Sequence, residues 1–277
     1  MQWETLTAPE FERAVRDTRV CILPLGVLER HSDHLPLGTD YVNAHRIACL
    51  AAEREPAVVF PPFYFGQIYE ARCFPGALTI RPTLLLELLQ AVLDEIGRNG
   101  LRKIIVYNGH GGNNGLVRFV AQCALWEEKP YALYVPMEHV SADRRAEYDV
   151  LHETRGGGHA CEDETSVTWA NFPETARREA IPAEPGAPLG RLGHLPPTFS
   201  AVSWYADYPE HYAGDARAAS VKKGKGFVRL RVETLAEYIA AVKTDRVVPA
   251  LQDEFFRRVG GVGVTAKGQS GRGSSEG

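Results

Sequence analysis

The amino-acid sequence predicts an α/β protein, with a mostly parallel sheet and helices on both of its faces. Short apolar runs alternate with longer segments of helical periodicity through the first half of the chain. A β-α-β-α-β order of this kind is typical of parallel strands joined by crossover helices. Polar clusters follow two of the predicted strands directly, and open α/β sheets bind their ligands at the carboxyl ends of strands. We therefore expect a functional site at that edge of the sheet.

The elements of the first half follow from local signals. The apolar run at 20–28 predicts a buried strand, and the segment after it predicts a helix capped by Thr39 or Asp40. Leucines recur at helical spacing before Asn99-Gly100, which is typical of an amphipathic helix that ends at a glycine. The predicted elements in chain order are a strand at 20–28, a helix at 41–53, a strand at 57–65, a helix at 83–98, a strand at 104–107, a helix at 113–126 and a strand at 131–135.

The second half of the sequence is less regular. Residues 180–197 are rich in proline and glycine and predict a long surface loop, and a final helix is predicted from about 233 to 258. The Gly/Ser-rich tail at 261–277 lacks apolar periodicity, so we expect it to be disordered. No linker divides the rest, and residues 1–260 are therefore predicted to form a single domain.

Composition excludes several classes of protein. The chain has 277 residues, of which 44% are hydrophobic and 24% charged, as in an average soluble globular protein. Its net charge of −4 provides no basic surface for nucleic acid or an anionic membrane, and no apolar run approaches the roughly 18–20 residues of a membrane span. The five cysteines form no CxxC pair, and no signal-peptide pattern precedes them. We expect a cytoplasmic protein that binds neither nucleic acid nor membranes.

The first polar cluster comes directly after the first predicted strand. Glu29 and His31 are two residues apart, so in extended backbone their side chains project to the same side. A carboxylate and an imidazole placed in this way form part of a site for a divalent metal ion, and Asp40 at the start of the next helix could be a third ligand. The alternative is an exposed polar loop with no bound ion.

A second cluster, at residues 108–113, follows the 104–107 strand and contains His110 among three glycines. The glycines allow the backbone to turn tightly and to approach a ligand. The segment has no Gly-Lys-Ser/Thr, which excludes a P-loop, and its glycine spacing excludes a dinucleotide-binding loop. The alternative is a glycine-rich turn with an incidental histidine.

A third cluster, at residues 156–166, has three glycines, then His159, and then Glu162, Asp163 and Glu164 at a predicted helix start. Acidic side chains at a helix N-terminus are also favoured by the helix dipole, which is the alternative explanation for them. Mixed imidazole and carboxylate ligands suit Zn, Mn or Fe. Glu29, Asp40 and Glu162, together with one hydroxide, would balance the charge of two divalent ions.

These motifs resemble the creatininase family of metal-dependent hydrolases. The family pattern Gly-x-x-Glu-x-His-x-x-His-Leu-Pro-Leu-x-Thr-Asp matches residues 26–40, and Asn-Gly-His-Gly-Gly-Asn matches 108–113. A third pattern, His-Ala-Gly-Glu-x-Glu-Thr-Ser, matches 159–166 except that Cys161 replaces the glycine. Phe74-Pro75-Gly76, Gly214-Asp215 and Lys223-Gly224 fit as well, and the resemblance covers about residues 20–245.

The resemblance implies an α/β fold with two divalent metal ions, Zn, Mn or Fe, and a set of ligands. The implied ligands are Glu29, His31, Asp40 as the bridge between the metals, His110 and Glu162. Creatininase itself has a ligand glutamate at the position of Gly112, and we expect Glu162 to replace it here. His159 matches the catalytic histidine of the family and is expected to transfer a proton to the leaving group.

Other residues have expected roles that the resemblance specifies less well. We expect substrate contacts from residues near the Phe74-Pro75-Gly76 segment and from a later aromatic stretch, namely Tyr69, Glu70, Arg72 and Trp204. His34 is expected to be structural or to contact a ligand, and Cys161 to be a small buried residue rather than a nucleophile.

The resemblance favours a hydrolase of small molecules, in which a metal-bridging hydroxide attacks the carbonyl of a cyclic or linear amide and a C–N bond is cleaved. A second hypothesis is cleavage of a C–C bond in a cyclic keto-sugar, keto-inositol or diketone. A third, of another class, is a non-catalytic metal-binding or peptide-processing homologue. Family members are commonly homo-oligomers, so we expect a hexamer built as a trimer of dimers.

Overall fold

The computed structural model describes residues 1–154 and 157–267, and for residues 157 and 262–267 it describes the backbone alone. Four parallel strands form the main sheet in the order β2-β1-β3-β4. These strands are β1 (Val20–Leu25), β2 (Val58–Val59), β3 (Lys103–Asn108) and β4 (Ala132–Tyr134). The helices are α1 (Ala8–Thr18), α2 (Thr39–Arg54), α3 (Pro82–Arg98), α4 (Asn114–Cys123), α5 (Arg145–Leu151), α6 (Glu162–Asn171), α7 (Ser203–Asp207), α8 (Val221–Thr244) and α9 (Val247–Lys267).

The register of the two central strands determines where the polar loops emerge. β1 pairs with β3 in parallel from Val20 opposite Lys103 to Leu25 opposite Asn108. Because both strands end at the same level, the connection that follows β1 and the loop that follows β3 leave the sheet side by side. The first two polar clusters of the sequence are therefore neighbours in space.

Alternation along β1 divides the core between the two faces of the sheet. Val20 and Ile22 face α2 and α8, and this part of the core also contains Ile105 of β3. Leu23 and Leu25 face the other way, toward α1, α3 and α4. Helices thus cover both faces of a parallel sheet in a single α/β domain, which confirms the predicted fold class.

Several elements differ from the prediction. The sequence analysis does not predict α1, although Thr7 and Glu10 form a capping box at its start. The strand predicted at 57–65 is reduced to β2, because Pro61 and Pro62 have no N–H groups with which to continue the ladder. The predicted final helix is two helices, since the Asp245 carboxylate accepts hydrogen bonds from the first N–H groups of α9.

The C-terminal part of the chain also extends beyond the predicted domain end. α9 continues to Lys267, past residue 260, while the remainder of the predicted tail lies outside the described residues. None of the helices in the described part of the chain has the length and hydropathy required to cross a bilayer.

A second, two-stranded sheet brings distant segments of the chain to the same edge of the domain. β5 (Gly157–His159) pairs antiparallel with β6 (Ala213–Gly214), and His159 lies opposite Ala213. α6, which starts just after β5, packs closely on α8: a Cβ at Gly224 would lie 1.8 Å from the Ser166 carbonyl oxygen. Only glycine permits this approach, and the close packing fixes α6 and its acidic first turn against the end of the main sheet.

Candidate metal centre

Buried histidines and acids from four separate segments converge at the carboxyl edge of the main sheet. Three groups have donor atoms within 4.8 Å of one another: Glu29, Asp40 and His110; His31, Asp40 and Glu164; and Glu29, His31 and His159. We call the first group the Glu29 triplet and the second the Glu164 triplet. The two triplets share Asp40, which lies in the first turn of α2.

In the Glu29 triplet three donor atoms face a common point. Nδ1 of His110 lies 2.8 Å from Oε1 of Glu29 and 2.9 Å from Oδ2 of Asp40. Within the described part of the chain, neither of these buried oxygens accepts a hydrogen bond. Nε2–H of His110 donates to the Gln67 carbonyl at 3.0 Å, which leaves the Nδ1 lone pair directed at the carboxylates. Buried carboxylate oxygens without donors, facing an imidazole lone pair, fit a bound cation.

The Glu164 triplet uses the other oxygen of Asp40. Nε2 of His31 lies 3.0 Å from Oδ1 of Asp40 and 4.0 Å from Oε2 of Glu164. Nδ1–H of His31 donates to the main-chain carbonyl of Glu29 at 3.3 Å, which orients the ring as a ligand. Asp40 thus presents one oxygen to each triplet, an arrangement suited to bridging two ions.

The structure does not bring Glu162 into either triplet. Its carboxylate accepts hydrogen bonds from Nζ of Lys223 at 2.5 Å, from the Thr154 hydroxyl at 2.6 Å, and from the N–H groups of Thr154 and Glu153. The expectation that Glu162 replaces the missing glutamate is therefore corrected, since its oxygens are already satisfied by donors. Glu164, two residues later and about 200° further around α6, faces His31 and Asp40 instead.

The loop after β3 leaves no room for a side chain at position 112. A Cβ at Gly112 would lie 2.4 Å from Nε2 of His110 and 2.8 Å from Oε1 of Gln67. The His110 ring and Gln67 therefore occupy the space that a side chain at this position would need.

The electrostatics of the cluster reflect several carboxylates buried together. Burial works against the charged form of Glu29, yet its contact with His110 and the hydrogen bond from His211 hold the pKa of Glu29 well below its usual range. Against the effect of burial, Asp40 and Glu29 raise the pKa of His31 to about 9. Burial raises the pKa of Glu164 to about 8, with Asp40 adding to it. This concentration of negative charge favours binding of cations.

His159 lies against the ligands and is kept neutral. Its ring stacks on that of His31 with centroids 4.2 Å apart, and its Nε2–H donates to the Arg30 carbonyl at 2.7 Å. Burial and the neighbouring charge of His31 lower the pKa of His159 to about 3. Nδ1 is therefore the ring nitrogen that remains to exchange a proton.

His211 is a member of the site that the sequence analysis missed. Its Nε2–H donates to Oε2 of Glu29 at 2.7 Å, and the indole N–H of Trp204 donates to its Nδ1 at 3.2 Å. The Trp204 contact fixes the tautomer of His211, which in turn orients Glu29. His211 has a left-handed φ of 54°. No motif surrounds it in the sequence, and it reaches the cluster through the β5–β6 pairing and a hydrogen bond from the Ser32 N–H to its main-chain carbonyl.

The four residues expected to contact substrate lie outside the lining of the cavity beside the cluster. A cavity of about 590 Å³ opens on the cluster, with Asp40, His110 and Glu164 in its wall. Its lining contains none of the four predicted residues, Tyr69, Glu70, Arg72 and Trp204. Glu70 instead accepts a hydrogen bond from Gln67, Arg72 is exposed, and Trp204 contacts His211.

His34 and Cys161 are both buried beside the cluster. Nε2 of His34 lies 2.9 Å from the Thr165 hydroxyl, and burial lowers the pKa of His34 to about 4. The Cys161 thiol donates to Oδ1 of Asp163 at 2.9 Å. Burial and that carboxylate raise the pKa of Cys161 well above its usual value, which disfavours a nucleophilic thiolate.

Comparisons with known proteins agree with the fold and the composition of the cluster. The family model described as Creatininase, creatinine amidohydrolase, matches residues 4–239. A 3-dehydro-scyllo-inosose hydrolase of Thermotoga maritima is 27% identical over 88% of this chain and 82% of that protein. A mycofactocin precursor peptide peptidase of Mycolicibacterium smegmatis is 29% identical over 81% of this chain and 86% of that protein.

A solved structure of a Mn creatininase has the same fold. It superposes with a TM-score of 0.76 at 23% identity and covers 88% of this chain and 99% of that chain. At this level of identity the likeness shows the fold alone. The family model, in contrast, spans the sheet and every residue of both triplets. The chain therefore belongs to the creatininase family and is a metal-dependent hydrolase.

Proposed function

We propose that the chain binds two divalent metal ions, one in each triplet, and that Asp40 bridges them. The observation that carries this proposal is the pair of buried oxygens, Oε1 of Glu29 and Oδ2 of Asp40, that face Nδ1 of His110 without a hydrogen-bond donor. His31 and Glu164 would hold the second ion through the other oxygen of Asp40. Imidazole nitrogen and carboxylate oxygen ligands suit Zn, Mn or Fe.

When bound, such ions would lower the pKa of a water molecule and polarise a carbonyl group of the substrate. The side chains of the protein hold this arrangement and move the proton. His211 donates to Glu29 and so keeps its other oxygen directed at His110. His159 is neutral and anchored through Nε2–H, so we assign to its Nδ1 the proton transfer to the leaving group.

The reaction that this arrangement supports best is hydrolysis of a small cyclic or linear amide at its C–N bond. A neutral imidazole suits this reaction, because Nδ1 of His159 can accept a proton from the attacking water and then give that proton to the amine leaving group, which must be protonated before it departs. The cavity volume of about 590 Å³ suits a small molecule better than a peptide segment. The description of the family model as creatinine amidohydrolase also supports an amide substrate.

A second candidate is hydrolysis of a C–C bond in a cyclic ketone. The similarity to 3-dehydro-scyllo-inosose hydrolase favours it, because the match extends over 82% of that protein. Both reactions begin at a carbonyl carbon and differ in the product, since only the amide reaction releases nitrogen.

A substrate screen on metal-loaded protein tests these proposals. Lactams, imides and cyclic polyhydroxyketones would be supplied to protein loaded with Zn, Mn or Fe, and released amine and new carboxylate would be measured separately. His159→Ala should keep its metal and lose turnover by roughly 10²–10⁴-fold. Carboxylate formed without nitrogen would select the ketone reaction, and undiminished turnover in His159→Ala would contradict the role of that histidine.

A further inference from the structure

The last helix, α9, exposes a row of large apolar side chains. Five of them, each between 38% and 64% exposed, form what we call the outer stripe of α9: Val247, Val248, Leu251, Phe255 and Val259. Four of these five, Val247, Leu251, Phe255 and Val259, follow one another at intervals of four residues, so they lie along one side of the helix. A contiguous apolar row of this kind is typical of a contact surface.

The opposite side of α9 is packed on the domain, which holds the outer stripe toward solvent. The side-chain amide of Gln252 donates to the main-chain carbonyl of Tyr131 at 3.0 Å, and Phe256 is partly buried. At the start of the helix the Asp245 carboxylate accepts hydrogen bonds from the first N–H groups and from the Tyr134 hydroxyl. These contacts fix the rotation of α9 about its own axis.

α9 also lies outside the part of the chain that the family model matches. That match ends at residue 239, and α9 begins at Val247. The triplets and the lining of the cavity beside them all come before residue 239. The outer stripe is therefore a feature that this chain adds to the family domain and that the proposed hydrolysis does not use.

The charged side chains of α9 favour a second copy of the same helix as the occupant of this surface. Glu254 and Arg258 lie on one flank of the outer stripe and pair with each other at 2.6 Å. Asp253 and Arg257 repeat the same order, with the acid first and the base four residues later. An antiparallel partner helix reverses this order, so its bases meet the acids of the first helix. The equal numbers of acids and bases provide no net charge to attract a membrane or a nucleic acid.

We propose that α9 pairs antiparallel with α9 of a second copy of this chain, about a two-fold axis at Phe255. In that register the two Phe255 side chains meet, and Leu251 of each copy lies opposite Val259 of the other. At a rise of about 1.5 Å per residue, Glu254 of one copy is offset by only about 3 Å along the axis from Arg258 of the other. Two ion pairs between the copies would therefore flank the apolar contact. A two-fold contact is closed, so each α9 takes a single partner.

Sedimentation velocity of the full chain, at about 1–100 μM, tests the pairing. The outer stripe spans about 18 Å of helix, which is short for a specific interface, so we expect dissociation in the micromolar range. Leu251→Glu should halve the mass of the assembly at concentrations where the wild type associates, because it places a carboxylate inside the apolar contact. The control is Val150→Glu on α5, at a valine that is 83% exposed, which should leave the mass unchanged. Both variants should melt at the temperature of the wild type, since both side chains face solvent.

Two variants that each reverse one charge test the antiparallel order. Glu254→Arg has only bases on the flank formed by residues 254 and 258, and Arg258→Glu has only acids there, so each should associate with itself more weakly than the wild type does. Mixed in equal amounts, they should associate with each other, because every acid again meets a base of the other copy. In a parallel pair each side chain would meet its own counterpart, and the single reversals would change little.

Three results would overturn the pairing: a wild type that stays monomeric at about 100 μM, equal mass of Leu251→Glu and wild type, or mixed charge-reversed variants that do not associate. A monomeric wild type that cosediments with phosphatidylglycerol vesicles would assign the outer stripe to a membrane instead. The metal content of Leu251→Glu should equal that of the wild type, so this experiment is independent of the proposed function.

Discussion

Glu162 and Glu164 lie two residues apart on α6, and both line the same cavity, yet their surroundings are opposite. The carboxylate of Glu162 is surrounded by donors, including the ammonium of Lys223, and although burial opposes it these contacts lower its pKa. The carboxylate of Glu164 accepts one hydrogen bond within the described residues, from the Ala160 N–H, and burial raises its pKa to about 8. The comparison teaches that the acid proposed as a ligand is the one with a single main-chain donor and no paired cation.

The largest expected effect is at Asp40 of α2, the residue that the two triplets share. Asp40→Ala removes an oxygen from each triplet at once, so we expect both ions to be lost rather than one. Elemental analysis of protein that has been dialysed first with the metal and then without it would measure this loss. The control is Asn43→Ala in the same helix, whose side-chain amide bonds to Thr39, Thr168 and Asn171 and to neither triplet, and which should keep both ions. Full metal content in Asp40→Ala would show that Asp40 does not bridge two ions.

The second effect tests the opposite side of α6. Lys223→Met leaves Glu162 buried without its cation, and we expect the free energy of unfolding to fall by about 3–5 kcal/mol at neutral pH. The metal content should not change. Because the pKa of Glu162 is lowered in the fold from its ordinary 4.5, its pairing with Lys223 stabilises the protein above about that pH.

The difference between wild type and Lys223→Met should therefore narrow as the pH falls from 4.5 through the lowered pKa that Glu162 has in the folded wild type, and it should be smallest once Glu162 is protonated in both proteins. Urea unfolding at several pH values would measure this dependence. A difference that does not change with pH would show that Glu162 and Lys223 are not coupled.

A smaller effect is expected at His211, which orients a ligand but does not belong to either triplet. His211→Phe removes the donor to Oε2 of Glu29, and affinity for the ion of the Glu29 triplet should drop about 10- to 100-fold. The ion of the Glu164 triplet should bind as before. Competition titration with a chelator would resolve the two sites. Trp204→Phe leaves the donation from Nε2–H of His211 possible and should weaken ion binding less than His211→Phe does. An equal loss of affinity at both sites in His211→Phe would contradict the role of His211 in orienting Glu29.

The fold could be predicted because its signals are local. The apolar runs of β1 and β3 and the leucine repeat of α3 each indicate one element without reference to the rest of the chain. Their parallel pairing then places Glu29, His31 and His110 together, since they follow strands that end in register. The split between α8 and α9 was missed because it depends on one side-chain cap at Asp245.

The remaining parts of the site depend on contacts that sequence spacing does not encode. Which of Glu162 and Glu164 faces the triplets depends on the residue at which α6 begins. It also depends on Lys223, which binds Glu162 from 61 positions further along the chain. His211 reaches Glu29 across 182 positions, through a two-stranded sheet too short to leave a periodic signal.

The central claim is that Glu164, and not Glu162, completes the metal centre. Its most direct test is the number of ions per chain in two variants that each change one acid to its amide, Glu164→Gln and Glu162→Gln, after equilibration with Mn and removal of free metal. We predict one ion per chain in Glu164→Gln and two in Glu162→Gln, the latter with a lowered melting temperature. Two ions in Glu164→Gln and one in Glu162→Gln would contradict the account.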